Sequence, residues 1–252
     1  MNRLPLSVFL ITRNEAARLP ATLAAVKDWA GEIVVIDSGS TDATREIAEA
    51  AGARVLERDW PGYGAQKRRG EEAAAHDWLL NIDADEVVTE ALAAEIAALF
   101  ADGPPAPALY RVPIRNVYPG DSRPRPLVRD YNPVRLYHRD AGRYRDDPLH
   151  DRVVPVAGAE ERQLRGALWH FPYLDFAALV EKQNRFSSFQ AEAAKEKPRA
   201  LLLLRLVVEG PWTFLRFWLG KGHILGGWKG FAFAGFAAFG RVLRIVKMLE
   251  RR

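Results

Sequence analysis

The sequence predicts an α/β protein built on a largely parallel sheet, followed by a C-terminal region of apolar helices. Over the first hundred residues, short apolar runs alternate four times with helical patterns. Such alternation is typical of parallel strands covered by helices on both faces. A linker rich in proline, glycine and alanine ends this pattern at 101–108. Beyond Pro198 the chain is apolar at helical spacing and rich in aromatic residues.

The N-terminal elements follow one another without long gaps. Ligands bind parallel sheets at the carboxyl ends of the strands, so the polar residues at these ends are expected to form one site. They are 12–15, 37–40, Asp59 and 83–86. Strands are predicted at 6–12, 32–38, 53–59 and 78–85, and helices at 15–29, 41–52, 64–75 and 89–100.

The second half of the chain changes character after the linker. Shorter strands of a mixed sheet are predicted within 109–118, 133–139 and 152–156, a helix at 173–197, and two apolar helical stretches at 200–219 and 223–250. These patterns predict a first domain over 1–172 and a helical C-terminal region over 173–252.

Composition excludes several classes of chemistry. The 252 residues include no cysteine, which rules out disulfides, thiolate metal sites and cysteine nucleophiles. The apolar stretch before Arg13 is too short for a signal peptide, so we interpret it as a first strand and expect a cytoplasmic protein. The net charge of +4 is uneven, because 205–252 carries nine basic and two acidic residues, a net +7, which leaves −3 for the rest.

The basic, aromatic tail predicts an anionic surface as partner, and we expect a membrane rather than a nucleic acid. Its longest charge-free run, "GFAFAGFAAFG" at 230–240, has eleven residues, whereas a membrane span needs about 20. The pattern therefore favours helices that lie in the membrane interface without crossing it. The alternative is that they pack on the body of the protein or on a second subunit.

The stretch "WLLNIDADE" at 78–86 places carboxylates at the end of an apolar strand. Asp83 and Asp85, two positions apart on a strand, are expected to point to one face, where they repel each other unless something offsets their charge. A cation, backbone N–H groups or water are the candidates. Mg²⁺ or Mn²⁺ would suit these oxygen ligands and would share its shell with phosphates.

At this point the sequence resembles family 2 glycosyltransferases of the GT-A (Rossmann-like) fold. The resemblance rests on "VFLITRNEA" (8–16), "EIVVIDSGSTDAT" (32–44), "GAQKRRG" (64–70) and "WLLNIDADE" (78–86), in the family's order. It implies a nucleotide-binding half over 1–100 and an acceptor half over 108–172.

The second half is similar to the bacterial group that adds glucose or a similar sugar to the lipopolysaccharide inner core. The shared stretches are "PLHDRV" (148–153), "ALWHF" (167–171), "EKQNRFSSFQA" (181–191) and "GHILGGWKGFAFA" (222–234).

The resemblance implies a role for each matching residue on the donor side. Thr12, Asn14 and Glu15 would line the nucleotide pocket, and Asp37 would contact the base or ribose. Asp85 would bind the metal directly, Asp83 would contact the ribose or the metal shell, and Lys67 would lie near the diphosphate. Ser38 stands where family members often have a second acidic residue, so the base contact would rest on Asp37 alone.

On the acceptor side the resemblance implies that Asp151 is the general base. It is one methylene shorter than the glutamate usual in this group, and Asp147 is an alternative base. His150 is a further possible site residue. Lys182 and Arg185, three positions apart on a helix, would share a face and meet acceptor phosphates.

Several of these residues also have purely structural interpretations. Asp37 would then serve the turn "SGSTD", in which Ser40 or Thr41 caps the next helix, as well as a ligand. The structural alternative for Glu15 is that it only favours a helix N-terminus, and for Lys67 that it belongs to a solvated face. His170, between Trp169 and Phe171, is expected to be a core or interface histidine.

The expected function is metal-dependent, inverting transfer of a sugar, with glucose the first candidate, in a single displacement. The expected donor is a nucleotide sugar of the UDP-sugar type, and the acceptor is a lipopolysaccharide-core or other lipid-linked glycan. The expected location is peripheral, on the inner face of the cytoplasmic membrane. Two alternatives stay open: a polyprenyl-phosphate sugar synthase of the same fold, and an inactive nucleotide-sugar-binding scaffold.

Overall fold

The computed structural model describes residues 3–125, 131–145 and 151–251. These residues divide into two compact units. The first comprises the described residues up to 115 and from 131 to 170, and the second comprises 116–125 together with 171–251. The sequence placed this division at 172/173 and assigned the segment after 116 to the first domain.

The elements of the first unit alternate as predicted at the start of the chain. Its helices are α1 (Leu19–Ala24), α2 (Thr44–Ala50), α3 (Tyr63–Ala73) and α4 (Glu90–Leu99). Its strands are β1 (Leu4–Thr12), β2 (Ala30–Asp37), β3 (Arg54–Glu57), β4 (Trp78–Asn81), β5 (Glu86–Val88), β6 (Leu109–Arg111), β7 (Ile114–Asn116), β8 (Val134–His138), β9 (Gly142–Tyr144), β10 (Val153–Pro155), β11 (Glu161–Gln163) and β12 (Leu168–His170).

A seven-stranded mixed sheet forms the centre of this unit, in the order β11-β6-β8-β4-β1-β2-β3. β4, β1, β2 and β3 run parallel, and β8 runs antiparallel to both β4 and β6. The predicted α/β fold with a mixed sheet is therefore confirmed. Register pairs Thr12 with Asp37 and Phe9 with Asn81, so the carboxyl ends of three parallel strands meet at one edge.

Two smaller sheets complete the first unit. β5, β12 and β7 form a three-stranded sheet, in which β12 runs antiparallel to β5 and pairs His170 with Glu86. β9 and β10 form an antiparallel pair. The first of these sheets brings the chain after β4 beside β12. Asp151, two residues before β10, lies against Lys67 of α3.

Close packing of α3 on the central sheet depends on a glycine. A Cβ on Gly70 would lie 2.6 Å from Cδ2 of Phe9 in β1, closer than real side chains approach. Phe9 is fully buried with Val34, Ile36 and Leu79. The close approach brings the polar face of α3 against the ends of the strands.

Several boundaries differ from the predicted ones, and one difference bears on the site. The fourth strand ends at Asn81 rather than Asp85, and residues 82–85, with a turn at 84–85, lead into β5. The helix predicted at 15–29 is confined to α1, which begins with Pro20 in its first turn and is flanked by turns. Proline is tolerated there because the first turn has no internal N–H bonds to lose.

The second unit is mostly helical. It contains α5 (Phe176–Glu192), α6 (Arg199–Leu215) and α7 (Gly227–Glu250), with a π-helical turn at Arg216–Gly220 and a 3₁₀ turn at His223–Gly226 between the last two. Leu202 of α6 packs with Ala191 of α5 and with Ile245 and Met248 of α7. None of the helices in the described residues combines the length and apolar character that crossing a bilayer requires.

A buried histidine organises the turn that leads into α7. His223 is 3% exposed, and its Nδ1 lies 2.5 Å from the hydroxyl of Tyr118. Its ring stacks on Phe233 at 4.9 Å. A Cβ on Gly230 would lie 1.9 Å from the carbonyl oxygen of His223, so only glycine fits at that position.

Candidate active site

The turn after β2 is built around the carboxylate of Asp37. Oδ2 accepts hydrogen bonds from Oγ1 of Thr12 at 3.0 Å and Oγ of Ser40 at 2.5 Å, and Oδ1 accepts from the N–H groups of Gly39 and Ser40. Asp37 is fully buried and Thr12 is 4% exposed. A carboxylate has about four lone-pair sites, and all are in use here. A ligand contact through Asp37 would have to replace one of these bonds.

The loops after β1 and β2 are joined by Asn14. Its φ of 55° is in the left-handed region, which asparagine tolerates better than most residues. In this conformation its N–H donates to Oγ of Ser40, and its Oδ1 accepts from the N–H of Thr41. The N–H of Glu15 donates to Oγ1 of Thr44. Asn14, through its backbone and its side chain, and Glu15, through its backbone N–H, thus fix the shape of this edge.

The carboxylate of Glu15 connects this loop to the acidic turn after β4. It accepts two hydrogen bonds from the guanidinium of Arg18, at 2.8 and 2.7 Å. Nη1 of Arg18 also lies 3.2 Å from Oδ2 of Asp85. Arg18 therefore bridges the predicted nucleotide-pocket residue Glu15 and the predicted metal ligand Asp85.

Asp85 also faces a histidine. Nε2 of His170 lies 3.4 Å from Oδ2 of Asp85, because β12 pairs His170 with Glu86, the residue after Asp85. Burial alone would raise the pKa of Asp85, but the hydrogen bond from His170 and the charge of Arg18 hold it below its usual value. Burial alone would lower the pKa of His170, but Asp85 raises it. The sequence favoured a core or interface histidine at this position.

Asp83 points to other partners than Asp85 does. Its Oδ1 lies 2.9 Å from Nζ of Lys67, and its Oδ2 lies 2.8 Å from Nη2 of Arg135. Burial by itself would raise the pKa of Asp83, but Arg135 and Lys67 lower it far below the usual range. The expectation that Asp83 and Asp85 share one face of a strand is wrong, because the strand ends at Asn81 and both residues lie in the connection to β5.

Arg135 is a buried cation at the centre of this edge and is only 5% exposed. Besides Asp83, it donates to Oδ1 of Asn81 and to Oε1 of Glu86, each at 2.7 Å. Glu86 is 1% exposed, and its Oε2 accepts from the N–H of Asp83. Burial raises the pKa of Glu86, and Arg135 opposes that rise. Asn81 also accepts from the hydroxyl of Tyr144.

Lys67 joins the predicted base to the acidic turn. Its ammonium lies 2.9 Å from Asp83 and 3.1 Å from Oδ2 of Asp151, and its side chain is only 2% exposed. Asp151, at 49% exposure, remains open to solvent. Burial alone would lower the pKa of Lys67, but the combined charges of its neighbours, with Asp83 the strongest of them, raise it above its usual value. The alternative of a solvated face for Lys67 is wrong, because Gly70 lets α3 pack closely on the sheet.

The donor set fits a hard divalent cation only in part. Within the described ranges, no group of three or more His, Asp or Glu side chains is arranged to hold a metal ion. Asp83 is engaged by two cations, which leaves Asp85 and His170 as two neighbouring donors. Mg²⁺ often binds through one or two carboxylates and completes its shell with water and substrate phosphates. Asp85 and His170 are compatible with such a site.

Not all of the predicted site residues are found together in the described part of the structure. His150 and the alternative base Asp147 lie outside the described residues. Lys182 and Arg185 lie on α5 in the second unit. Nζ of Lys182 lies 3.5 Å from the carbonyl oxygen of Pro172 and 5.1 Å from the centre of the Tyr173 ring.

Three residues that the sequence did not assign to the site carry much of its geometry: Arg18, Arg135 and His170. Arg135 was part of the predicted strand "PVRLYHR", where a charged residue in an apolar run is a weak signal of a buried ion pair. Arg18 and His170 give no comparable signal, because Asp85, the site residue that both contact, is 67 and 85 positions away from them in sequence.

Comparison with known proteins now identifies the family. The sequence model described as "Glycosyl transferase family 2" matches residues 7–162. The chain belongs to glycosyltransferase family 2. It is 34% identical over 254 residues to a protein from Rickettsia felis named "Uncharacterized glycosyltransferase", covering 97% of this chain and 89% of that protein.

Family 2 membership confirms the resemblance stated from the sequence. The chain is 31% identical over 255 residues to the lipopolysaccharide core biosynthesis glycosyltransferase LpsC of Rhizobium meliloti, covering 99% of this chain and 93% of LpsC. The crystal structure of S. aureus TarS aligns with a TM-score of 0.50 at 13% identity, covering 93% of this chain and 55% of that chain. This likeness supports the GT-A fold alone.

Proposed function

We propose that this family 2 glycosyltransferase transfers a hexose, with glucose the first candidate, from a nucleoside diphosphate sugar to a lipid-linked glycan such as a lipopolysaccharide core. The observation that carries the proposal is the position of Lys67, which is ion-paired with both Asp83 and Asp151. One buried ammonium thus links the acidic turn after β4 to an exposed carboxylate beyond it. Similarity to LpsC supports the choice of acceptor.

The donor would bind at the carboxyl ends of β1, β2 and β4. Thr12, Asn14 and Glu15 would line the nucleotide pocket, and Asp37 would shape it through the turn that it holds. An ammonium group has three N–H donors, and Asp83 and Asp151 use two of them at Lys67. The third would donate to a diphosphate oxygen of the bound donor.

Asp85 and His170 would hold Mg²⁺ or Mn²⁺, with phosphate oxygens and water completing the shell. When bound, the ion would offset the charge that develops on the departing nucleoside diphosphate. Asp83 would act through Lys67 and Arg135 and would keep both cations oriented towards the donor. Arg18 would limit the movement of Asp85 by holding its carboxylate from the side of α1.

Asp151 would take the proton from the acceptor hydroxyl as that hydroxyl attacks the anomeric carbon. The bond to the nucleoside diphosphate breaks as the new glycosidic bond forms, so the configuration inverts in one displacement. Lys67 would keep the carboxylate of Asp151 in position, because its ammonium is itself held in place by Asp83. The proton acceptor must lie within hydrogen-bond reach of the hydroxyl in the bound complex.

The first test replaces Asp151 with asparagine in the full chain. We expect Asp151→Asn to bind UDP-sugar with near-unchanged affinity and to transfer sugar about 10²–10⁴-fold more slowly, the usual contribution of a general base. The readout is UDP release with purified lipopolysaccharide-core acceptors. Asp140→Asn, which changes a carboxylate that is 76% exposed, is the matched control and should stay active.

The outcomes separate the proposal from its alternatives. Sugar transfer by Asp151→Asn at the wild-type rate would show that Asp151 is not the general base. The same result with a polyprenyl phosphate as acceptor would indicate a polyprenyl-phosphate sugar synthase, whose acceptor phosphate needs no base. UDP-sugar binding without turnover on any acceptor would indicate a scaffold.

A second test concerns the metal. Asp85→Ala should reduce transfer by about 10²–10³-fold or more, as expected for the loss of a group that stabilises charge in the transition state. Excess EDTA should stop the wild-type enzyme, and Mg²⁺ or Mn²⁺ should restore it. Full turnover in EDTA would contradict the metal assignment.

We also infer that the helical region over 173–252 holds the enzyme on the inner face of the cytoplasmic membrane. This region exposes large apolar side chains such as Val207, Trp212 and Trp228, at 73%, 63% and 69%. Interfacial helices combine buried apolar area with attraction to anionic lipid, which the net +7 of 205–252 would supply. A lipid-linked acceptor would be reached from the same surface.

A further inference from the structure

We propose that the cleft between α5, α6, the π-helical turn and α7 is a binding site for a phosphorylated lipid. It is lined by aromatic residues, among them Phe186, Trp212 and Phe233, and by basic residues of the same helices. Its volume of about 600 Å³ falls within the range of small-molecule sites, which is about 300–1,000 Å³. The inference rests on the proposed function in one respect, that the lipid is the anchor of the acceptor.

The cleft has an apolar wall that the protein leaves uncovered. Trp212 and Phe186 line it and are 63% and 52% exposed. Phe217 and Phe233 also line it, and both stack on the buried His223, with ring centres 6.0 and 4.9 Å away. Large exposed apolar surfaces in soluble proteins mark sites of interaction. Two of the rings are thus fixed in place, and two are free to contact a chain.

The polar part of the same cleft carries an excess of positive charge. Arg216, Lys221 and Arg241 line it, and Glu209 is the one carboxylate among the lining residues described. Glu209 is engaged by Arg241 at 3.3 Å and by a contact with Arg205. Arg216 and Lys221 have no carboxylate partner in the part of the chain that the structure describes. An anion could therefore bind without displacing an existing ion pair.

The excess of positive charge extends along the interface between α6 and α7. Arg205, Arg241 and Arg244 surround the single carboxylate Glu209, and the Nε of Arg244 is buried without a hydrogen-bond partner in the described residues. Burial lowers the pKa of Arg244, and the nearby charges of Arg241 and Arg205 lower it further. Surplus cations beside an uncovered aromatic wall match a ligand with an anionic head and an apolar chain.

The backbone also departs from regular helix at the cleft. α6 contains Pro211, which has no N–H to donate, and it leads into the π-helical turn Arg216–Gly220. This turn carries both Arg216 and Phe217, and Lys221 follows it directly. Single π-helical turns occur frequently at functional sites. Here the turn brings a charged and an aromatic lining residue to adjacent positions.

A lipid fits this combination better than a free phosphate or a neutral chain. A free phosphate would use the basic residues but leave Trp212 and Phe186 exposed. A neutral chain would cover the rings but leave Arg216 and Lys221 without an anion. Burial of each methylene group contributes about 0.8 kcal/mol to transfer from water, so the two parts of one amphiphile reinforce each other.

The experiment uses the full-length protein and a short-chain phosphatidic acid kept below the concentration at which it forms micelles. Binding is measured by calorimetry and by tryptophan fluorescence. We expect one saturable site, and the double variant Arg216→Gln/Lys221→Gln should bind at least about tenfold more weakly. Lys195→Gln/Arg199→Gln removes the same charge from exposed positions outside the cleft and should bind like the wild type.

A second pair of variants tests the aromatic wall. Trp212→Ala removes a lining residue, whereas Trp228→Ala removes an equally exposed tryptophan outside the lining. Only the first should weaken binding of the short-chain lipid. Unfolding midpoints of all variants establish that the helical unit still folds.

Several results would overturn the inference. These are the absence of saturable binding, equal weakening in both charge variants or in both tryptophan variants, and equally tight binding of inorganic phosphate or of an uncharged diacylglycerol. UDP-sugar binding is measured on the same samples. Absence of lipid binding together with intact UDP-sugar binding would reject only the proposed lipid site. Absence of UDP-sugar binding together with intact lipid binding would reject only the proposed function.

Discussion

Replacement of Arg135 by leucine should be among the most damaging single changes in the first unit. Arg135 is 5% exposed and donates to Asn81, Asp83 and Glu86. Leucine fills much of the same volume but leaves these acceptors without their cation. Asp83 would keep Lys67 at 2.9 Å, whereas the Glu86 carboxylate would keep only the N–H of Asp83.

The magnitude follows from the buried charge left behind. Removing one partner of a buried ion pair costs about 3–5 kcal/mol, and Lys67 limits the loss at Asp83, so we expect Arg135→Leu to lower the free energy of unfolding by about 4 kcal/mol. Total stabilities are about 5–15 kcal/mol, so the variant should unfold at a much lower urea concentration. Most of the loss is assigned to Glu86, which is 1% exposed.

The assay is urea unfolding of three variants at neutral pH. Glu86→Gln should recover part of the loss when combined with Arg135→Leu, because it removes the uncompensated charge. Arg162→Leu is the control, since its ion pair with Glu160 is on the surface and should not move the unfolding midpoint. A loss below about 1 kcal/mol, or no recovery with Glu86→Gln, would refute the assignment of Arg135 as a buried charge centre.

The effect of pH on stability gives an independent check on the ion pair between Arg135 and Asp83. Burial raises the pKa of Asp83, but Arg135 and Lys67 together depress it well below the unfolded value near 4. This stabilisation is therefore present above about pH 4 and is lost as the pH falls further. The stability difference between the wild type and Arg135→Leu should narrow in acid, and a constant difference would contradict the pairing.

Three further predictions concern other parts of the chain. His170→Gln should weaken Mn²⁺ binding in the presence of UDP by about tenfold or more, measured by calorimetry, and leave the unfolding midpoint nearly unchanged. Gly230→Ala should destabilise the protein by about 1–3 kcal/mol or more, because its Cβ would lie 1.9 Å from a carbonyl oxygen, whereas Gly235→Ala, with no atom within 4 Å, should be neutral or stabilising. Burial and Lys221 lower the pKa of His223 to about 4, so stability should fall as the pH drops from about 6.5 towards 4, and His223→Gln should flatten that dependence.

The sequence predicted the parts of the site that depend on local pattern. Thr12, Asp37 and the acidic turn all follow apolar strands, and parallel register brings strand ends together whatever the rest of the fold does. Local pattern also predicted the helix that carries Lys67, and the family resemblance implied that Lys67 lies near the diphosphate. Its burial was not predicted, because the close approach of α3 depends on contact between Gly70 and Phe9, which are 61 positions apart.

Features that depend on pairing between distant segments could not be predicted from local sequence patterns. The end of β4 at Asn81 separates the directions of Asp83 and Asp85, and it accompanies the pairing of β5 with β12 some 80 residues later. The same pairing brings His170 to Asp85. In the helical unit, apolar periodicity predicted the helices, but the π-helical turn at Arg216–Gly220 was not predicted, because it leaves no pattern in the sequence.

The path of the chain between the two units limits how this enzyme can be divided. The chain passes from one unit to the other at 115/116, 130/131 and 170/171. Tyr118 and Asp121 contact His223 and Lys229 and belong to the helical unit. In the sequence, however, they lie between the two segments that form the first unit. A single protease cut at any one crossing would leave the units covalently joined. Recombination between related enzymes could exchange the helical unit intact only by transferring both of its segments together.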